Sequence, residues 1–322
     1  MIEGKIPLVS VLCITFNHEK YIAQAIEGFL MQKTNFKFEI IIHDDASTDK
    51  TVEIIKSYQG KNPALLNCIF QNENQYSKKD GSLENAIFGM PMGKYVALCE
   101  GDDYWIDPYK LQKQVDFLEK NDEYGLVHHE ADYLFQKNGK IIKNHHQINE
   151  IYPSNGFVFE ELLSNNNIYT PSVMFKASLL DYFMAIDADI RSQFLMGDYA
   201  MWLEFSQHCK FHYLSESMAT YRVLENSASK TTSYEKDMLF LNSYFDIKLF
   251  FMNRCSSKGI TIDGIEQARV SSSLSSAIKY KKNKDARFFA SKLKLNDWRV
   301  LLKHILVFVP SIFRYIQKKN ML

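Results

Sequence analysis

The chain has 322 residues, with 38 Lys and Arg against 38 Asp and Glu, and is 46% hydrophobic, 14% aromatic and 24% charged. These values exclude disordered and collagen-like classes, and the length allows one large domain or a large one joined to a small one. Five scattered cysteines (Cys13, Cys68, Cys99, Cys209, Cys255), never in CxxC spacing, argue against a disulfide framework or a structural zinc site and suit a reducing cytosol.

The N-terminal MIEGKIPLVSVLCITF lacks a basic segment followed by a long apolar run, so no signal peptide is expected. Pro7 to Ile14 is a short apolar and β-branched run, predicting a strand buried on both faces. Tyr21, Ile22, Ala25, Ile26, Phe29 and Leu30 then fall at helical spacing, with Asn17 or His18 as the expected cap. Phe38–His43 predicts a second strand, about Thr51 to Tyr58 a helix, and Leu66–Gln71 a third strand. Strand–helix–strand–helix–strand predicts a parallel α/β sheet. A fourth strand, Lys94–Cys99, runs into EGDDYWIDP, where Asp107 and Pro108 suit a helix cap and first turn ahead of YKLQKQVDFLEKN. Gly125–His129 predicts a further strand. Beyond it the pattern is less regular. A hairpin near Lys137–Lys140, helices near Phe159–Leu163 and Asp198–Gln207, and a strand near Ser172–Phe175 are expected, and from about Ser233 the pattern is helical.

The zero net charge hides an asymmetry. Residues 279–322 carry 12 basic and 2 acidic side chains, a net of +10, which leaves −10 on the remainder. A basic tail on an acidic body suits an anionic partner such as a membrane surface, a nucleic acid or the body itself. Leu301, Leu302, Ile305, Leu306, Val309, Ile312, Phe313 and Ile316 recur at helical spacing, flanked by Arg299, Lys303, Arg314, Lys318 and Lys319. Lys303, His304 and Pro310 interrupt the run, so it is not a spanning helix. It reads either as a basic amphipathic helix for a bilayer surface or as a packing helix with a solvated basic face.

In an open α/β sheet, ligands bind at the carboxyl ends of the strands. Strand one ends in Thr15-Phe16-Asn17, strand two in Asp44-Asp45, and strand four in Glu100-Gly101-Asp102-Asp103. Five acidic residues on one sheet edge repel one another unless a cation or hydrogen-bond donors compensate them. Neither GxGxxG nor GxxxxGK[ST] follows any strand, so phosphates need another holder. A magnesium or manganese ion bound by Asp102 and Asp103 suits that task. Asp44 and Asp45 suit hydrogen bonds to a nucleoside. Asp198, at a helix start, is a cap or a general base. Arg222 suits a phosphate or a carboxylate. The pairs His128-His129 and His145-His146 do not make a metal site, since adjacent rings in a strand point to opposite faces. Neither HExxH nor GxSxG occurs.

PLVSVLCITFNHEKYI, EIIIHDDASTDKT, GKYVALCEGDDYWIDPYKL, GDYAMWLEF and YRVLENSAS, in that order, resemble the inverting family 2 glycosyltransferases, most closely the bacterial type that builds capsules, O-antigens and other surface polysaccharides. The resemblance covers roughly residues 6–232. It implies a GT-A fold, a Rossmann-like and mostly parallel sheet flanked by helices, as a catalytic domain over 1–232; residues 233–322 lie outside the resemblance, and their pattern predicts a basic, amphipathic helical extension. It implies that Thr15, Phe16 and Asn17 line a nucleotide pocket, with Phe16 where Tyr is usual. Asp45 would contact the base with Asp44 beside it, Asp102 would lie near the ribose or diphosphate, and Asp103 would hold the metal, Mn²⁺ or Mg²⁺. Asp198 would be the catalytic base, although the residue before it is Gly197 where the family has Glu. Arg222 matches the arginine of the C-terminal motif, and Leu224 stands where a histidine is common. The implied donor is a nucleotide sugar, with a UDP-sugar foremost, and the implied acceptor a saccharide or lipid-linked saccharide. No nucleic acid is expected. The expected location is the cytoplasm, peripheral at the inner face of the membrane. The pocket that selects the substrates is expected in residues 125–200, with His128, His129, Glu130 and Asp132 lining it. Two alternatives stay open: a sugar nucleotidyltransferase, although no glycine lies between Gly4 and Gly28, and a binding protein that has lost catalysis.

Overall fold

The computed structural model describes residues 7–90, 92–225, 233–255, 257 and 259–294. Two compact units emerge, Met1–Gln193 with Gly197–Leu224, and Phe194–Met196 with Glu225–Leu322.

The first unit is built on one sheet. Its strands are β1 (Val9–Thr15), β2 (Phe38–Asp44), β3 (Leu66–Phe70), β4 (Tyr95–Leu98), β5 (Tyr104–Trp105), β6 (Tyr124–Phe135), β7 (Lys140–Ile142), β8 (Met174–Lys176) and β9 (Lys210–Val223), in the order β3-β2-β1-β4-β8-β6-β9-β5, with β7 on β6. The first four are parallel: Val9 faces Phe38 on one side and Tyr95 on the other. β1 and β4 are buried along nearly their whole length, which explains runs without alternation. The sheet turns mixed at β8, antiparallel to both β4 and β6.

Helices α1 (Ile22–Leu30), α2 (Thr51–Lys61), α3 (Ser82–Phe88) and α4 (Lys110–Lys120) accompany the parallel half; α5 (His145–Ile148), α6 (Phe159–Ser164), α7 (Leu179–Met184), α8 (Ala188–Arg191) and α9 (Gly197–Phe205) accompany the mixed half. The apolar stripe of α1 buries Ile22, Ala25, Ile26 and Phe29. Phe29 meets Trp105 edge to face at 4.9 Å. A Cβ at Gly28 would sit 3.0 Å from the Trp105 backbone, so α1 can approach β5 only with glycine there. Neither Asn17 nor His18 caps α1; its flanking residue is Tyr21 and no side chain caps it. Instead the Asn17 side chain crosses to the loop after β2, because its left-handed backbone (φ 56°) turns it away from the helix. Asp107 does not cap α4: it accepts Tyr109 N–H at 2.7 Å in the turn ahead, and the helix begins at Lys110 with Tyr109 at its cap position and no side-chain cap.

The second unit contains α10 (Tyr234–Arg254), α11 (Ile262–Lys279) and α12 (Asn283–Lys292). Ser233 and Thr261 cap the first two by accepting from Lys236 and Gly264 N–H. Leu274, Ala277, Ile278, Ala286, Ala290 and Leu293 form a small core, in which alanines let α11 and α12 pack closely. Among the described residues no helix is long and apolar enough to cross a membrane. The basic amphipathic segment around 299–319 lies outside the described residues.

Candidate functional site

Strand β1 has β2 on one side and β4 on the other, so the chain order reverses there and a crevice opens at the carboxyl ends of β1 and β4. The segment after β4 runs along the end of β1, with Cys99 N–H on Leu12 O at 3.1 Å and Gly101 N–H on Ile14 O at 2.9 Å. A Cβ at Gly101 would lie 2.5 Å from Thr15 Oγ1 and 2.9 Å from His18 Nδ1. Only glycine lets the acidic turn press this closely on Thr15, whose hydroxyl is itself 3.1 Å from His18 Nδ1.

Glu100, Asp102 and Asp103 each bring a carboxylate oxygen to within 4.8 Å of the others, as a divalent-cation site requires. They differ in exposure. Glu100 keeps an exposed face in the crevice, Asp102 is half-buried and Asp103 is buried. Asp103 Oδ1 accepts the Arg222 N–H at 2.6 Å, while its Oδ2 is buried without a partner. Burial, then the charges of Asp102 and Glu100, hold the Asp103 carboxyl well above the ordinary range, against the pull of Arg222. Crowding by the protein around it, then Asp102 and Asp198, raise the Glu100 carboxyl too. An orphaned buried oxygen among mutually repelling carboxylates fits a bound cation.

Asp44 and Asp45 end β2 beside this turn and have other tasks. Asp44 is buried, accepts Ser47 N–H at 2.9 Å through Oδ2, and leaves Oδ1 unpartnered. Asp45 accepts Gln75 N–H at 2.7 Å and Tyr76 N–H at 3.0 Å, one on each oxygen, and so anchors the loop after β3. Asn17 Oδ1 accepts from Thr48 N–H at 2.8 Å, and Asn17 N–H donates to Ser47 Oγ at 2.8 Å, which binds the ends of β1 and β2 together. Phe16 is 42% exposed, so its ring is open to solvent.

Asp198 stands in the first turn of α9. Its Oδ1 accepts Tyr199 N–H at 2.7 Å and its Oδ2 accepts the Thr170 hydroxyl at 3.0 Å. Burial raises its carboxyl, and these two donors act in the opposite direction. It belongs to the same acidic field as the turn after β4, because its charge acts on Glu100. Burial, then the charges of Glu84, Glu100 and Asp198, raise the Tyr76 hydroxyl. Glu84 on α3 was not a sequence candidate. A Cβ at Gly197 would lie 3.9 Å from Glu84 Oε1, so α3 brings a carboxylate beside the position where Asp198 lacks an acidic neighbour. Nothing in the local sequence marks it, since the approach is made by the fold.

Other expectations need correction. Arg222 points its guanidinium at protein acceptors, Asp102 O and Gln136 Oε1 at 2.6 Å and Gln24 Oε1 at 2.7 Å, and is only 5% exposed. His128, His129, Glu130 and Asp132, expected around the substrate pocket, are all buried and held by contacts within the protein. Glu130 accepts the N–H groups of Ala131, His146 and Gln147 and the Tyr213 hydroxyl, tying α5 to β6. Asp132 accepts from Asn144 N–H and Ser217 Oγ. The His129 ring lies 2.7 Å from Glu130 O, and His128 packs on Tyr213. At the register shift between β6 and β9 the Glu130 carboxylate takes the Ala131 N–H and the His129 ring meets the Glu130 carbonyl, contacts that stand in for the interrupted ladder.

Residues 10–189 match the family described as Glycosyl transferase family 2, more than half of the chain. An uncharacterised protein of Mycobacterium tuberculosis is 32% identical over 217 residues, 66% of this chain and 58% of its own length, so the chain spans less than two thirds of that relative. An uncharacterised glycosyltransferase of Methanocaldococcus jannaschii is 30% identical over 250 residues, 77% of this chain and 81% of the relative. An Escherichia coli UDP-Glc:alpha-D-GlcNAc-diphosphoundecaprenol beta-1,3-glucosyltransferase is 34% identical over 112 residues, 35% of this chain and 42% of that one. Among solved structures, a mannosyltransferase from Pyrobaculum calidifontis in complex with GDP-Man and Mn²⁺ superposes with a TM-score of 0.59 at 14% identity, covering 98% of this chain and 84% of that one. Staphylococcus aureus TarS in complex with UDP-GlcNAc gives 0.52 at 16% identity, covering 96% and 92%. The fold is therefore GT-A, and the chain belongs to glycosyl transferase family 2.

Proposed function

We propose that this protein transfers a sugar from a nucleoside-diphosphate sugar, with a UDP-sugar the first choice, to an acceptor hydroxyl, inverting the anomeric centre. The observation that carries the reading is one acidic field shared by two elements, the Glu100–Asp103 turn at the switch point and Asp198 at the start of α9. Glu100, Asp102 and Asp103 would hold Mn²⁺ or Mg²⁺; the ion's chemistry is to neutralise negative charge on a departing diphosphate. Thr15, Phe16, Asn17, Asp44 and Asp45 would form the nucleoside side. Each Asp45 oxygen accepts one backbone N–H and keeps a lone pair for a base or ribose donor. Asp198 would take the proton of the acceptor hydroxyl. Tyr199 N–H and Thr170 Oγ1 hold its carboxylate in place, while its raised proton affinity brings it nearer to a useful base. Attack on the face opposite the leaving group gives inversion in one displacement.

Kinship with an enzyme named for a diphosphoundecaprenol acceptor supports a saccharide or lipid-linked acceptor and a place in surface-polysaccharide synthesis. On that reading residues 1–232 are the catalytic domain, and the basic 279–322 segment meets the membrane that carries the acceptor. The test is Asp198→Asn, assayed with UDP-sugars and Mn²⁺ for donor affinity and for transfer or donor hydrolysis. Donor affinity should hold within about twofold while turnover falls by about 10²–10⁴. Turnover equal to wild type would remove Asp198 as base.

A further inference from the structure

We propose that Arg222 is a positioning residue that braces the acidic turn from behind and sets the Asp103 oxygen offered to a cation. The inference rests on the metal reading above, but gives Arg222 a task distinct from contact with a diphosphate. Its backbone N–H takes Asp103 Oδ1 at 2.6 Å, leaving the buried Oδ2 without a partner. Its Nε donates to Asp102 O at 2.6 Å. Nη1 and Nη2 donate to Gln136 Oε1, past the end of β6, and Gln24 Oε1, on α1. The guanidinium also lies 4.7 Å from the Tyr21 ring and 5.2 Å from the Tyr104 ring.

Four hydrogen bonds from one residue thus join β9, α1, the end of β6 and the turn. Three of them leave a planar group in three fixed directions, which an ammonium cannot reproduce. The carboxylates of the turn repel one another and tend to splay when no cation holds them. The guanidinium fixes the Asp102 carbonyl while the main-chain N–H of the same residue fixes the Asp103 carboxyl, and together they counter that tendency. Side chains that orient metal ligands typically matter 10–100-fold in metal affinity.

The test measures Mn²⁺ binding by electron paramagnetic resonance of the free ion, and uridine binding without metal by calorimetry, on the full chain. Arg222→Lys keeps the charge and loses the fork. It should weaken Mn²⁺ binding about 10–100-fold while uridine affinity stays within about twofold. Gln24 and Gln136 are exposed, so Gln24→Ala/Gln136→Ala tests the same brace should Arg222→Lys fail to fold; a loss of about 2–5-fold in Mn²⁺ affinity is expected. Mn²⁺ affinity unchanged in Arg222→Lys and in the double variant would overturn the proposal. So would a loss of metal-free UDP affinity relative to uridine with Mn²⁺ affinity intact, since that marks direct contact with the diphosphate. Failure of the metal reading is separable: wild type and Asp103→Asn would then show the same absence of Mn²⁺ binding, and both ideas fall together.

Discussion

The two acidic pairs at the sheet edge look alike in sequence and behave differently. Asp44-Asp45 closes β2, and both Asp45 oxygens accept backbone N–H groups of the loop after β3. Asp102-Asp103 follows β4, and Asp103 has one oxygen on a backbone N–H and one buried with no partner. In the first pair Asp45 is compensated by its own chain, while Asp44 keeps one buried oxygen without a partner. The second is crowded by Glu100: burial and neighbouring charge hold the Asp103 and Glu100 carboxyls up, and three carboxylates crowd one turn. Sequence proximity of two aspartates therefore says little; the donors the fold delivers to each oxygen and the carboxylates it gathers around them set the two pairs apart.

The largest expected effect falls on the crowded pair. Asp103→Asn should abolish the gain in UDP affinity that Mn²⁺ brings and cut transfer by about 10²–10³, measured by calorimetry and initial rates. Equal Mn²⁺ dependence in variant and wild type would dissolve the contrast between the pairs. A second effect is on pH. Raised carboxyls bind protons in the folded state that the unfolded chain has already released, so the cation-free protein loses stability as pH rises through those raised values. A cation needs the deprotonated carboxylates, so the Mn²⁺-induced rise in Tm should be larger at pH 8 than at pH 6. A rise independent of pH would place the ion elsewhere.

Asp45→Asn sharpens the comparison from the other side. The amide keeps one acceptor and sets an NH₂ against a backbone N–H, a change that costs about 1–3 kcal/mol. Chemical denaturation should detect it, together with faster proteolysis in the loop after β3, while Mn²⁺ affinity stays within twofold. Phe16→Tyr should be the smallest change. The ring is open to solvent, so stability should move by no more than about 0.5 kcal/mol in a thermal scan.

The parallel half of the fold was legible because β1, β2 and β4 are buried on both faces and write continuous apolar runs, and because α1 and α4 carry apolar stripes. The mixed half was not. β9 runs 14 residues through KFHYLSESMATYRV, whose central SES interrupts any alternation, and its register with β6 shifts at His129 and Glu130. That irregularity is where Glu130 and its neighbours are drawn into the interior as structural acceptors, although their polarity suggested a pocket.

The sequence by itself determined the strand ends, and with them Thr15, Asn17, Asp44, Asp45, Asp102 and Asp103 as the residues to watch, and it marked Asp198 at a helix start, because burial periodicity and turn chemistry are local. Which oxygen of Asp103 is unpartnered, that Arg222 braces the turn, and that Glu84 arrives beside Gly197 were decided only by tertiary structure. Hydrogen-bond satisfaction and carboxylate repulsion act through space between segments as far as 198 residues apart, and no local pattern encodes who will meet whom.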